Sequence, residues 1–200
     1  MINKQYVFIQ LLTNQNLIDL DSPDVLFNPS DYLVSPFNST DKFVNGQYFL
    51  TGQQEDIRDK VLAEIFDSKT AFISITGSAG TGKTLLTYDI VRSVKSSKNV
   101  VVVHCGQLND GHHRLKQLGW RIVSIRDFKN YDLNDIDLVV LDEVQRIYPQ
   151  QFDKLVVDAQ AKNTDCIFSY DKQQTLSSAE SRTNIEGKVD SLGFVSKFKL

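Results

Sequence analysis

The residues this sequence is short of narrow its reading first. Its 200 residues hold only two cysteines, Cys105 and Cys166, too few and too far apart for a disulfide framework or a paired-cysteine metal site. A reduced, cytoplasmic protein is the expectation. Basic residues are in the minority, 22 against 25 acidic, for a formal net charge of −3. That excludes a chain-wide basic footprint for nucleic acid, though not a local patch. No apolar run approaches a membrane span, and Met1-Ile2-Asn3-Lys4 does not open a signal peptide. Of only four prolines, three (Pro23, Pro29 and Pro36) fall in the first fifty residues and break long elements there.

What is present is globular. A hydrophobic share of 41% and a charged share of 24% suit one domain large enough to bury a core. Residues 1–49 read as an irregular, partly β lead-in, with a short strand over residues 6–12. From Gln53 the pattern sharpens. Ile57, Val61, Leu62, Ile65 and Phe66 fall at helical spacing, and further helices are predicted over residues 83–94, 112–118 and 152–161. Between them lie short β-rich runs at residues 71–76, 100–104, 121–125, 137–141, 166–170 and 194–200. Strands interleaved with helices predict an α/β fold, a parallel sheet with helices on both faces.

Gly77-Ser78-Ala79-Gly80-Thr81-Gly82-Lys83-Thr84 sits between a predicted strand and a predicted helix and matches the Walker A phosphate-loop pattern in full. Glycines let successive backbone N–H groups curl around a polyphosphate without Cβ obstruction. The helix start adds positive potential. In this chemistry Lys83 reaches the β- and γ-phosphates and the Thr84 hydroxyl ligates magnesium, so ATP with Mg²⁺ is the expected ligand.

A phosphate loop needs a carboxylate on the metal side. Asp142 and Glu143 close a buried apolar strand, where ligands bind in open α/β sheets. Asp142 is the candidate magnesium residue, and Glu143 the candidate general base that polarises the attacking water. The plain alternative is a solvated strand end. A third strand ends in Asp171-x-x-Gln174; placed between the other two, it would aim Gln174 at the γ-phosphate as a sensor. Here the alternative is a polar loop.

Together these segments resemble motifs I, II and III of the superfamily 1 helicases, a resemblance that covers roughly residues 50–200. It implies a RecA-like P-loop NTPase fold for that region, with residues 194–200 closing the sheet beside the phosphate-loop strand. Leu50-Thr51-Gly52-Gln53-Gln54 resembles the family's Q motif, which makes Gln54 the candidate adenine reader and Gln53 the reserve. Gln145 and Arg146 would link the nucleotide to a second domain or to nucleic acid. The segments 103–112 and 142–147 look most like bacterial Schlafen-type DNA/RNA helicase domains. The resemblance further implies DNA or RNA, expected single-stranded, as partner, and no membrane. It also implies a second RecA-like domain, or a partner protein, bringing arginine fingers worth roughly 10³–10⁵ in rate. Within residues 50–200 the resemblance implies only the first of the two domains. The chain as given is therefore expected to bind ATP, hydrolyse it slowly and not unwind a duplex alone. The rival reading is a nucleotide-dependent protein-binding switch.

His104, Cys105, His112 and His113 fit no standard zinc spacing. Cys105 is expected in the core, Trp120 in the core or at a domain contact, and His112 is expected to face nucleic acid or a partner domain.

Overall fold

In the computed structural model, which describes residues 34–67, 69–128, 131–171 and 185–200, six strands form one sheet. They are β1 (Phe72–Thr76), β2 (Val100–His104), β3 (Ile122–Ser124), β4 (Leu138–Asp142), β5 (Asp165–Tyr170) and β6 (Ser196–Lys199). The spatial order is β3-β2-β4-β5-β1-β6, and every pairing is parallel. All carboxyl ends therefore share one edge. β5 lies between β4 and β1, and β6 beside β1, as the motif order requires.

The near-continuous apolar strands have a simple cause. Successive side chains point to opposite faces, and both faces are covered. Val100 and Val102 of β2, with Leu138 and Val140 of β4, join one core; Val101, Val103, Val139 and Leu141 join the other. Burying each aliphatic side chain contributes about 1.5–3 kcal/mol. Helices α1 (Thr40–Val44), α2 (Gly52–Ile65), α3 (Lys83–Val94) and α4 (Asp110–Gln117) pack into the first core. Helices α5 (Ile125–Phe128), α6 (Pro149–Lys162) and α7 (Ile185–Ser191) pack into the second. α3 carries the chain from β1, fifth in the sheet, across to β2, second in it.

The differences from the sequence reading are local. Within the lead-in, residues 34–49 carry the helix α1 and belong to the same compact unit as the rest. Its five residues are too few to hold a helix by propensity; fully buried Phe43, stacked on Tyr48 at 5.3 Å, anchors them. The strand expected over residues 6–12 lies outside the described residues. β3 stops at Ser124 because the Ser124 hydroxyl accepts the Asp127 N–H (3.2 Å) and starts α5. α6 starts at Pro149, before the predicted residue 152, with proline at the first helical position, where its missing N–H costs nothing. Phe66, read as part of the α2 stripe, lies past the helix end and is exposed.

Candidate active site

The loop of residues 77–82 joins β1 to α3 at the carboxyl edge of the sheet. Gly80 (φ 78°) and Gly82 (φ 82°) take left-handed backbone, which favours glycine. At Gly82 a Cβ would also stand 2.3 Å from Nε2 of Gln54, so a side chain there would have to displace that amide. The loop holds itself: the Thr81 hydroxyl (2.9 Å) and the Lys83 ammonium (2.8 Å) both donate to the carbonyl of Ser78. Lys83 Nζ also lies 3.8 Å from Oδ2 of the buried Asp171, which follows β5. Thr84, second in α3, is half-buried at the same helix start.

Gln54 is buried and braces this loop. Its carbonyl accepts the Thr51 N–H (2.9 Å) in a capping box at the start of α2, and its amino group donates to the Thr81 carbonyl (3.1 Å). A primary amide carries two donors and two acceptor sites, so one of each remains for a ligand. Gln53 is exposed and donates to the Lys199 carbonyl (3.0 Å).

Asp142 ends β4 and is only 2% exposed. One carboxylate oxygen accepts the Glu143 N–H (3.1 Å), and the other, Oδ2, is buried without a hydrogen-bond partner. Glu143 adopts left-handed backbone (φ 59°, ψ 42°), which costs a non-glycine residue roughly 1–2 kcal/mol. The turn aims its carboxylate back toward its own chain, where Gln145 Nε2 (2.9 Å) and Arg146 Nε (3.3 Å) hold it. Burial, and then the neighbouring Asp142, raise the Glu143 pKa, while Arg146, His104 and Lys83 pull it down. Neither the turn nor the grip has a signal in the sequence. Gln174 lies outside the described residues.

The residues present fit a nucleotide with magnesium. Asp142 offers a buried oxygen that accepts no hydrogen bond and Thr84 a hydroxyl, the hard oxygen donors that magnesium prefers. The glycine loop at a helix start offers amides to phosphate.

Comparison with known proteins gives this geometry a family: residues 51–183 match the family model described as an AAA domain. The chain belongs to the AAA domain family. It is a P-loop NTPase domain, with the all-parallel α/β sheet of that class. Among solved structures, DnaA from Aquifex aeolicus bound to AMPPCP is 16% identical, with a TM-score of 0.52 over 80% of this chain and 50% of that one. A DNA replication initiation factor is 20% identical, with a TM-score of 0.51 over 77% and 48%. A Bacteroides Pif1 bound to ssDNA is 15% identical, with a TM-score of 0.48 over 76% and 42%. At these identities the likeness is one of fold, and the chain spans about half the length of these proteins. No curated protein matches the sequence.

On the other side of Asp142 from the phosphate loop of this AAA domain, a cleft of about 620 Å³ opens past the ends of β2 and β3. Gln107, Ser124, Arg126 and Arg146 are among the residues that line it. Among the described residues no helix is long and apolar enough to cross a membrane. No group of three or more His, Cys, Asp or Glu side chains gathers there as metal ligands either. Cys105 is buried at the end of β2 and burial pushes its thiol pKa up, while Trp120 lies in the core.

The expectation for His112 is corrected: its side chain is 1% exposed and faces inward. The ring closes a capping box with Asn109 at the start of α4 and lies 4.0 Å from the Phe37 ring. Burial, then His104, lower its pKa from 6.5 to about 4. The folded state thus prefers neutral imidazole. Its stabilising contribution is full above about pH 6.5 and is lost as pH falls toward 4. Urea unfolding at about pH 7.5 and about pH 5 should differ by about 2 kcal/mol from this group, and His112→Asn should remove that part of the difference.

Proposed function

We propose that this chain binds ATP with magnesium at the carboxyl edge of its sheet and hydrolyses it, as one motor domain of a nucleic-acid-dependent ATPase or helicase. The convergence of Lys83 with the adjacent pair Asp142 and Glu143 at one edge, from two segments far apart in the chain, carries the reading. Lys83 exchanges the Ser78 carbonyl for phosphate oxygens, and the amides of residues 77–84 share the charge. Thr84 and Asp142 would hold magnesium, which when bound offsets charge on the β- and γ-phosphates. Glu143 orients the attacking water and takes up its proton. The raised pKa of its buried carboxyl suits a base, because the proton is better received there. Gln54 braces the loop and offers its free N–H and lone pair to adenine, and Gln174 senses the γ-phosphate.

Nucleic acid as partner is supported by the cleft with Arg126 and Arg146, which adjoins the base through the Arg146–Glu143 contact. Tyr148, two residues on, is 68% exposed and offers a stacking face. In this reading residues 50–200 are the ATP-binding domain. A second RecA-like domain or partner protein supplies the arginines in trans. A closer kinship with Schlafen-type helicase domains rests on the sequence motifs alone. The rival, a nucleotide-dependent protein-binding switch, is favoured by the acidic charge balance.

ATP turnover of the full protein, measured with and without single-stranded DNA and RNA, tests this. Stimulation of at least about tenfold is expected, as a motor gated by its track requires. Turnover that responds to no nucleic acid would remove the helicase reading in favour of the switch.

A further inference from the structure

β2 and β4 pair in register at their carboxyl ends, which sets His104 directly opposite Asp142. Both are buried, at 7% and 2% exposure. Nδ1 of His104 lies 3.4 Å from Oδ2 of Asp142, and neither atom has a hydrogen-bond partner. Oδ1 of Asp142 is already occupied by the Glu143 N–H. The imidazole is also clamped. The His112 ring packs against it at 4.4 Å between centroids, and Phe37 stands against both rings, 4.0 Å from His112 and 6.5 Å from His104. At its far end Gly106 leaves room for Nε2, since a Cβ there would come within 2.9 Å of it. Two buried polar atoms are thus aimed at each other by a ring that has no space to turn away.

We propose that His104 is a positioning residue for Asp142: through Nδ1–H it engages one lone pair of Oδ2 and fixes the rotation of the carboxylate, so that the second lone pair of Oδ2 is left for magnesium. The proposal rests on Asp142 being the magnesium-side carboxylate. Groups that orient a metal's ligand typically contribute about 10–100-fold to metal affinity or activity. A merely structural histidine would instead affect folding alone.

The test compares His104→Asn, whose amide nitrogen can occupy the Nδ1 position, with His104→Gln, whose amide reaches only toward the Nε2 position. His104→Phe keeps a ring and loses both nitrogens. The readout is the magnesium concentration giving half-maximal binding of a non-hydrolysable ATP analogue, with binding in EDTA and thermal unfolding alongside. His104→Gln and His104→Phe are expected to raise the magnesium requirement by about tenfold while leaving binding in EDTA within about twofold. His104→Asn should stay within about threefold of the unsubstituted chain. The Asn–Gln contrast decides the matter even if His104→Phe does not fold. An unchanged magnesium requirement in His104→Gln, an equal defect in His104→Asn, or an equal loss in EDTA would overturn the proposal. If the unsubstituted chain shows no magnesium-dependent nucleotide binding, the reading of the site falls first and this inference with it.

Discussion

Glu143→Gln is expected to bind ATP with magnesium within about threefold of the unsubstituted chain and to lose at least about 100-fold in kcat, because general-base catalysis contributes roughly 10²–10⁴. The substitution is nearly isosteric and keeps an acceptor oxygen for Gln145 and Arg146, which now contact the carboxylate at 2.9 and 3.3 Å. The left-handed backbone at this position treats Glu and Gln alike, so the turn should survive. What disappears is the ability to accept a proton, and burial with Asp142 at its side has raised the proton affinity of the acid it replaces. Single-turnover hydrolysis beside equilibrium binding separates the two effects. Normal hydrolysis by Glu143→Gln would move the base to another residue.

Lys83→Ala is expected to weaken ATP binding by at least about 100-fold, given that a hydrogen bond to a charged group is worth about 1.5–3 kcal/mol and Lys83 serves two phosphates. A second effect has the same sign. Lys83 lies 3.8 Å from the buried Asp171, so its removal leaves more negative potential where phosphates must enter. Lys83→Arg should not restore binding, because the planar guanidinium is not the compact ammonium that this loop encloses. Fluorescent-nucleotide titration of the three proteins checks this; binding by Lys83→Ala within about threefold of the unsubstituted chain would contradict it.

The sheet was legible in the sequence wherever a strand carried its own signal. The valines of β2 and the apolar run of β4 announce strands buried on both faces, and Gly77 to Thr84 announces a phosphate loop without reference to the rest of the chain. What escaped depends on partners far away. α1 is held by Phe43 in the core, and a five-residue stretch shows no periodicity to read. The role of Gln54 as a brace needs Thr81, 27 residues on, within reach of its amide. His112 resembled a surface residue until α4 began at Asp110 and turned the ring onto Phe37; a capping box closed by histidine is an unusual signature. The facing of His104 and Asp142 follows from strand register alone, which no spacing along the chain encodes. The left-handed turn at Glu143 is likewise invisible in the residue type, because glutamate rarely adopts it.

Every role proposed for these residues requires that the phosphate loop and Asp142, two strand positions apart in the sheet, form a single magnesium-dependent ATP site. The most direct measurement is a calorimetric titration of the 200-residue chain with a non-hydrolysable ATP analogue, in magnesium and again in EDTA. One site per chain is expected, with affinity at least about tenfold higher in magnesium, because Thr84 and Asp142 contribute only when the ion is there. Equal affinity with and without magnesium, or no saturable binding in either, would contradict it.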